Sequence, residues 1–366
     1  MIIELPNTRT REISRKIDEL HEERGESATG RVLTLLISTT EDEPEHALEV
    51  ANAASREHPC RVIAIVPQNG TTARAKARTH GREVTDDCVA VVDAKPDPAE
   101  TAEQARARAA LAAVDPNGGM AADLAGETNE SNLDAEVRFG ADAGAGEIIV
   151  LRPRGGLVHH PDTLVIPLLV PDAPVVAWWP VEAPANPSKD LLGAMARSRI
   201  TDAMRSSNPL RTIEDLRRNR SPKNIDMSWT RLTVWRAMLA TMLDQPPHLP
   251  IVSVRVTGPK GFLPMDMLAA WLRLRLGVSV SIEDDPNADA VTGVYLTRAD
   301  GVLSLERPST QEAVAMISTP GQTPQSISVP ARTLEECLSE ELRRLDPDEV
   351  YAEVLDHGWD LIHPGR

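Results

Sequence analysis

Residues 31–39 (RVLTLLIST) and 60–66 (CRVIAIV) are two nearly continuous apolar runs, separated by a helical stretch that carries Ala47, Val50, Ala51 and Ala54. A strand with one solvated face alternates apolar and polar residues, so unbroken runs of this kind read as strands buried on both faces. The acidic start Glu41-Asp42-Glu43-Pro44-Glu45 suits the first turn of the intervening helix. Strand, helix and strand make a βαβ unit, whose crossover is expected to be right-handed.

On the N-terminal side, residues 8–24 place Ile13, Ile17 and Leu20 at spacings of four and three, a narrow helical stripe that Gly25 ends. The stripe either packs on its own domain or docks a partner. On the C-terminal side comes a third apolar run, Cys88 to Val92 within 84–93. Residues 94–132 then turn to Ala, Asp, Glu and Gly, with helical character only over Glu100 to Ala113. That acidic stretch reads as a solvated, poorly ordered insertion. Ala135 to Phe139 and Ile148 to Leu151 are further strands, and Asp162 to Val170 is expected to be helical.

The run Pro174-Val175-Val176-Ala177-Trp178-Trp179-Pro180 is a strand ending in two of the chain's six tryptophans. Successive strand side chains point to opposite faces, so Trp178 and Trp179 cannot share one core, and the second indole needs its own cover. Strands alternating with helices imply an α/β domain: a doubly wound, mostly parallel sheet over residues 1–185.

Pro180, Pro184 and Pro187 mark a boundary, and residues 186–366 are expected to form a second domain. Its first part, 188–244, reads as a helical segment. There Asp226 is an N-cap, and Ser228 to Leu243 a helix with Trp229, Leu232, Trp235, Leu239, Met242 and Leu243 on one face. Arg236 sits inside that stripe and Arg231 borders it; a cation among tryptophans must be paired or stacked. Over 250–366 the period changes. A strand at Ile251 to Thr257 precedes a helix from Pro264 to Gly277, short strands follow near 278–283, 290–297, 302–307, 312–318 and 325–329, and helices at 333–345 and 347–357 close the chain. This is an α+β pattern with an antiparallel sheet.

The composition, 41% hydrophobic and 26% charged with a net charge of −16, is that of a globular protein and argues against nucleic acid as partner. No apolar run is long enough to cross a membrane, and the N-terminus lacks the pattern of a secretory signal, which points to the cytoplasm. Cys60, Cys88 and Cys337 are far apart and form no Cys-x-x-Cys pair, so neither a disulfide framework nor a zinc site is suggested.

Two stretches invite an anion. Arg152-Pro153-Arg154-Gly155-Gly156 follows a strand, the end at which doubly wound folds bind ligands; it is either a phosphate site or a basic surface turn. Lys260 lies in Thr257-Gly258-Pro259-Lys260-Gly261, between a strand and a helix, where Pro259 removes a backbone donor and the P-loop spacing is missing. His159 and His160 point apart and are poor candidates for one metal ion. No nucleophile elbow and no Gly-x-Gly-x-x-Gly appears, which moves weight from catalysis toward a protein whose output is a contact.

Several of these stretches together resemble the OpcA family, the glucose-6-phosphate dehydrogenase assembly proteins of actinobacteria and cyanobacteria. They are the opening through Ser38, the run Leu164 to Pro180, the segment Arg197-Ser198-Arg199-Ile200-Thr201-Asp202, and above all residues 226–236 (DMSWTRLTVWR). The resemblance covers most of the chain in order. The chain departs from it in the insertion at about 94–132 and in Val234, where the family commonly has proline. The resemblance implies a protein without catalytic residues, cofactor or metal that binds glucose-6-phosphate dehydrogenase and promotes its active oligomer. Some relatives in photosynthetic bacteria are linked to thioredoxin control. Trp178, Trp179, Arg197, Arg199, Asp202, Asp226, Trp229, Arg231, Trp235 and Arg236 are then the expected functional set, either as partner contacts or as an internal joint between the domains. The competing reading is an enzyme or sensor for a sugar phosphate or nucleotide held by Arg152, Arg154 and Lys260.

Overall fold

The computed structural model describes residues 1–24, 31–40, 44–68, 131–139, 146–307 and 313–364. The runs expected at 84–93 and 100–113, Cys88 and nearly all of the acidic insertion lie outside these residues.

The two apolar runs are neighbouring parallel strands, β2 (Leu33–Ser38) and β3 (Cys60–Ile65), joined through helix α2 (Pro44–Ser55). They lie inside an eight-stranded sheet. With β1 (Ile2–Leu5), β4 (Leu133–Phe139), β5 (Glu147–Pro153), β6 (Val175–Trp179), β7 (Ser198–Thr201) and β8 (Asn224–Asp226), the order is β1-β4-β5-β3-β2-β6-β7-β8. The strands from β5 to β8 run parallel, whereas β4 is antiparallel to both β5 and β1. The sheet is mostly parallel, as expected. The chain's opening residues, Ile2–Leu5, form its edge strand beside β4.

Two strands, β7 and β8, come from beyond residue 185, inside the stretch expected to be a helical segment. The proline-rich connection at 180–187 therefore links two adjacent strands of one sheet. The helix expected over Asp162 to Val170 is shorter, α3 (Pro161–Val165) followed by a 3-10 turn over Ile166–Leu168, because Pro167 has no N–H to extend the ladder. Helix α1 (Thr10–Arg24) buries Ile13, Ile17 and Leu20, so its stripe packs on its own sheet.

The second sheet has six strands in the order β10-β9-β11-β12-β13-β14. They are β9 (Ser253–Gly258), β10 (Ser279–Asp284), β11 (Gly293–Arg298), β12 (Gly301–Glu306), β13 (Val314–Ser318) and β14 (Gln325–Ser328), all antiparallel to their neighbours except the β9–β10 pair. The chain between the sheets carries α4 (Pro209–Arg218), α5 (Met227–Thr230) and α6 (Thr233–Leu243). Helix α7 (Leu263–Leu276) has Pro264 in its first turn and ends at Gly277, whose φ of 68° suits the residue without a Cβ. Helix α8 (Leu334–Arg343) and the final helical stretch from Glu349 to Ile362 close the chain.

Each face of the first sheet has its own core. On one face, α1, α3 and the 192–196 segment enclose Ile63, Ile149, Leu164, Val165, Leu168 and Trp179. On the other face, α2, Trp178, Trp229 and Trp235 belong to a core that continues without a break into the second sheet and the C-terminal helices. Helix α8 packs directly on α2, and the Ser339 hydroxyl of α8 donates to Glu57 at the end of α2. The two sheets thus share apolar packing.

Candidate functional site

The carboxyl ends of β7 and β8 carry two fully buried carboxylates, Asp202 and Asp226. Strand ends at this side of a doubly wound sheet are where such folds place ligands. Here the protein's own groups fill the position. Asp226 accepts from Thr201 Oγ1 (2.7 Å) and from the backbone N–H groups of Ala203 (2.8 Å) and Ser228 (2.9 Å), the last as the expected N-cap of α5. Asp202 receives both Nη atoms of Arg231, at 2.8 and 2.7 Å. Burial pushes the Asp202 carboxyl above its ordinary value, against the pull of the Arg231 fork. Burial also works against the charge of Arg231, but its bonds to Asp202 hold it above the ordinary arginine value.

Arg231 is where the expected helix Ser228 to Leu243 breaks. Met227–Thr230 and Thr233–Leu243 are separate helices, and Leu232 between them has φ −91° and ψ −3°, off the regular helix. The break occurs without a proline. It turns the guanidinium back toward β7 while Trp229, Leu232, Trp235, Leu239 and Met242 remain buried on the predicted face.

Trp178 and Trp179 are 0% and 3% exposed and lie in the two different cores, as strand geometry requires. An indole buried in full removes about 150–250 Å² from water, worth on the order of 4–6 kcal/mol before entropic costs. The cover over Trp179 includes the 187–196 segment: a Cβ built on Gly193 would lie 3.0 Å from Trp179 Cη2 and 1.8 Å from the Pro187 carbonyl oxygen. Arg236 does not stack on either of these indoles. Its guanidinium lies over the ring of Trp229, 3.8 Å from the centroid, while Nη2 donates to Thr233 Oγ1 (3.2 Å). Burial holds Arg236 below the ordinary arginine value.

The remaining expected residues are spread more widely. Arg199 is buried and donates to the Gly193 carbonyl (2.7 Å) and to Asn224 Oδ1 (3.2 Å), tying the covering segment to β8. Arg197 is exposed and faces Asp346 at 3.6 Å. Arg152 is bonded to Glu136 (3.0 Å), and Arg154 to Gln68 and Asp134. The backbone N–H of Lys260 donates to Asp284 (2.8 Å), and Lys260 belongs to the loop after β9 in the second sheet. The anion candidates are therefore split between the two sheets, Arg152 and Arg154 at β5 of the first and Lys260 after β9 of the second, and both arginines already have acidic or amide partners. Burial pushes the Cys60 thiol up to about 12 and Cys337 up to about 11, which leaves both as inert thiols.

Several residues that bond to the α5–α6 stretch carry no sequence signal of their own. Asp348 accepts from Trp229 Nε1 (2.9 Å), Glu341 from Thr230 Oγ1 (2.6 Å) and Glu340 from Thr233 Oγ1 (2.9 Å). Arg332 bonds to Glu340 and to the Thr230 carbonyl. Burial pushes Glu341 up to about 7. The Thr333-to-Glu336 capping box marks where α8 starts, but a local motif does not tell which helix its acidic face meets.

The chain matches two family models in sequence order. Residues 51–218 match the N-terminal domain, and residues 222–355 the C-terminal domain, of the glucose-6-phosphate dehydrogenase subunit. The junction between the two matches falls between α4 and β8. No curated protein matches the chain.

Proposed function

This chain belongs to the OpcA family of glucose-6-phosphate dehydrogenase subunits, and we propose that it is a non-catalytic assembly factor and allosteric activator of that dehydrogenase. It acts in the cytoplasm, in the oxidative pentose phosphate pathway, with no nucleic acid or membrane as partner. The two ordered family matches carry this reading. The site geometry supports it, because the carboxyl ends of β7 and β8 are closed by Arg231 and by backbone donors of the same chain. No helix among the described residues is long and apolar enough to cross a membrane.

The tryptophan and arginine motif acts as the joint in this reading. Its indoles are buried, so the dehydrogenase meets a surface whose shape the motif holds. Activation then works by population shift: a dehydrogenase conformation or oligomer that fits this surface better is stabilised by the difference in contact energy. About 1–3 kcal/mol of such coupling changes activity roughly 5- to 150-fold.

The test is dehydrogenase activity and elution volume with and without the purified protein. Activity rises and the elution volume falls if the proposal holds; no change in either rejects it. The Arg236→Met variant is expected to stay folded, with an unchanged circular dichroism spectrum, and to activate less. Full activation by that variant would remove Arg236 from the functional set.

A further inference from the structure

A cleft of about 230 Å³ opens where α6, the start of α7 and the segment 329–332 meet. It is smaller than a drug-sized site, which suits a ligand of modest size. Its lining includes Trp235, Phe262 and three arginines, Arg231, Arg307 and Arg332. Two of the arginines are committed elsewhere, Arg231 to Asp202 and Arg332 to Glu340.

Arg307 is different. It is only 5% exposed, its Nε has no hydrogen-bond partner, and the one hydrogen bond of its side chain among the described residues is a long one from Nη1 to the Val329 carbonyl (3.4 Å). It forms no ion pair among those residues either. Its guanidinium lies 5.4 Å from the centroid of the Trp235 ring. Burial lowers its pKa, and Asp289, which lines the same cleft, opposes that through space. A buried cation without a bonded counter-ion is costly, and an anion that enters the cleft relieves that cost.

We propose that this cleft binds a small phosphate monoester, with the phosphate paired to the Arg307 guanidinium and a flat apolar group against Trp235. The proposal does not depend on the dehydrogenase reading, so either can fail alone. The probes are phenyl phosphate, inorganic phosphate, benzoate and phenol, titrated into the full chain by calorimetry. Phenyl phosphate is expected to bind saturably, more tightly than inorganic phosphate or benzoate, and phenol not at all. Arg307→Met is expected to weaken phenyl phosphate about tenfold or more, and Arg307→Lys, which keeps the charge without the fork, to weaken it less. Three results would overturn the proposal: no saturable binding by the unaltered protein, equal binding by Arg307→Met, or benzoate binding more tightly than phenyl phosphate. If Arg307→Met does not fold, the unaltered protein and Arg307→Lys still decide.

Discussion

Replacing Arg231 by Met removes the partner of a carboxylate that has 0% exposure. Breaking a buried pair from one side typically costs about 3–5 kcal/mol, because the remaining charge is left in a poorly solvating place. With a urea m-value of about 2–3 kcal/mol/M, the unfolding midpoint should fall by about 1–2.5 M. Asp202→Leu should also destabilise, since it leaves Arg231 unpaired. The double variant Asp202→Leu/Arg231→Met should lose much less than the sum of the singles. The cost in Arg231→Met should also depend on pH. Without the guanidinium, the folded pKa of Asp202 lies further above its unfolded value, so the protonated form is favoured in the fold. Its stabilising share is present at low pH and lost as pH rises through the raised folded value. The deficit relative to the parent protein should therefore shrink by up to about 1.4 kcal/mol per pH unit on acidification within that window. Urea titrations from pH 5 to 8 measure this. Additive singles, or a deficit that stays constant with pH, would refute the argument that Asp202 and Arg231 act as one buried ion pair.

Glu341 has its folded pKa raised to about 7 from an ordinary 4.5, so its contribution to stability is full below about 4.5 and is lost as pH rises to about 7. Glu341→Gln should flatten that part of the stability profile, measured by thermal unfolding over the same pH range. Gly193→Ala puts a Cβ against the Pro187 carbonyl and should cost at least about 1–3 kcal/mol, with a changed near-ultraviolet signal from the Trp179 environment. Trp229→Phe removes the donor to Asp348 and part of the surface under Arg236, and should lower the urea midpoint more than Trp271→Phe on the partly buried face of α7.

The strands that were legible in the sequence are those whose burial shows in their composition. Leu33–Ser38 and Cys60–Ile65 are apolar nearly throughout because helices or cores cover both of their faces. Strand β7 escaped this reasoning because three of its four residues, Ser198, Arg199 and Thr201, are polar and buried, leaving Ile200 as its one large apolar side chain. Strand β8 is three residues long, too short for any period. In the site, the helix face from Trp229 to Met242 and the N-cap Asp226 follow from local spacing. The pairing of Arg231 with Asp202 and of Trp229 with Asp348 does not, because those partners are brought together by tertiary packing across 29 and 119 residues.

The packing of α8 on α2 sets an order of events during synthesis. Helix α2 is complete by residue 55, but the helix that packs against it spans residues 334–343, and β2 must wait for β6 at 175–179 to occupy its second edge. A nascent chain therefore carries an uncovered helix face and an open strand edge for much of its length. Such long-range closures slow folding and expose the chain to association. A chain cut before α8 would keep every residue of the first sheet and still uncover the α8-facing side of α2, so such a truncation should aggregate more readily than the full chain.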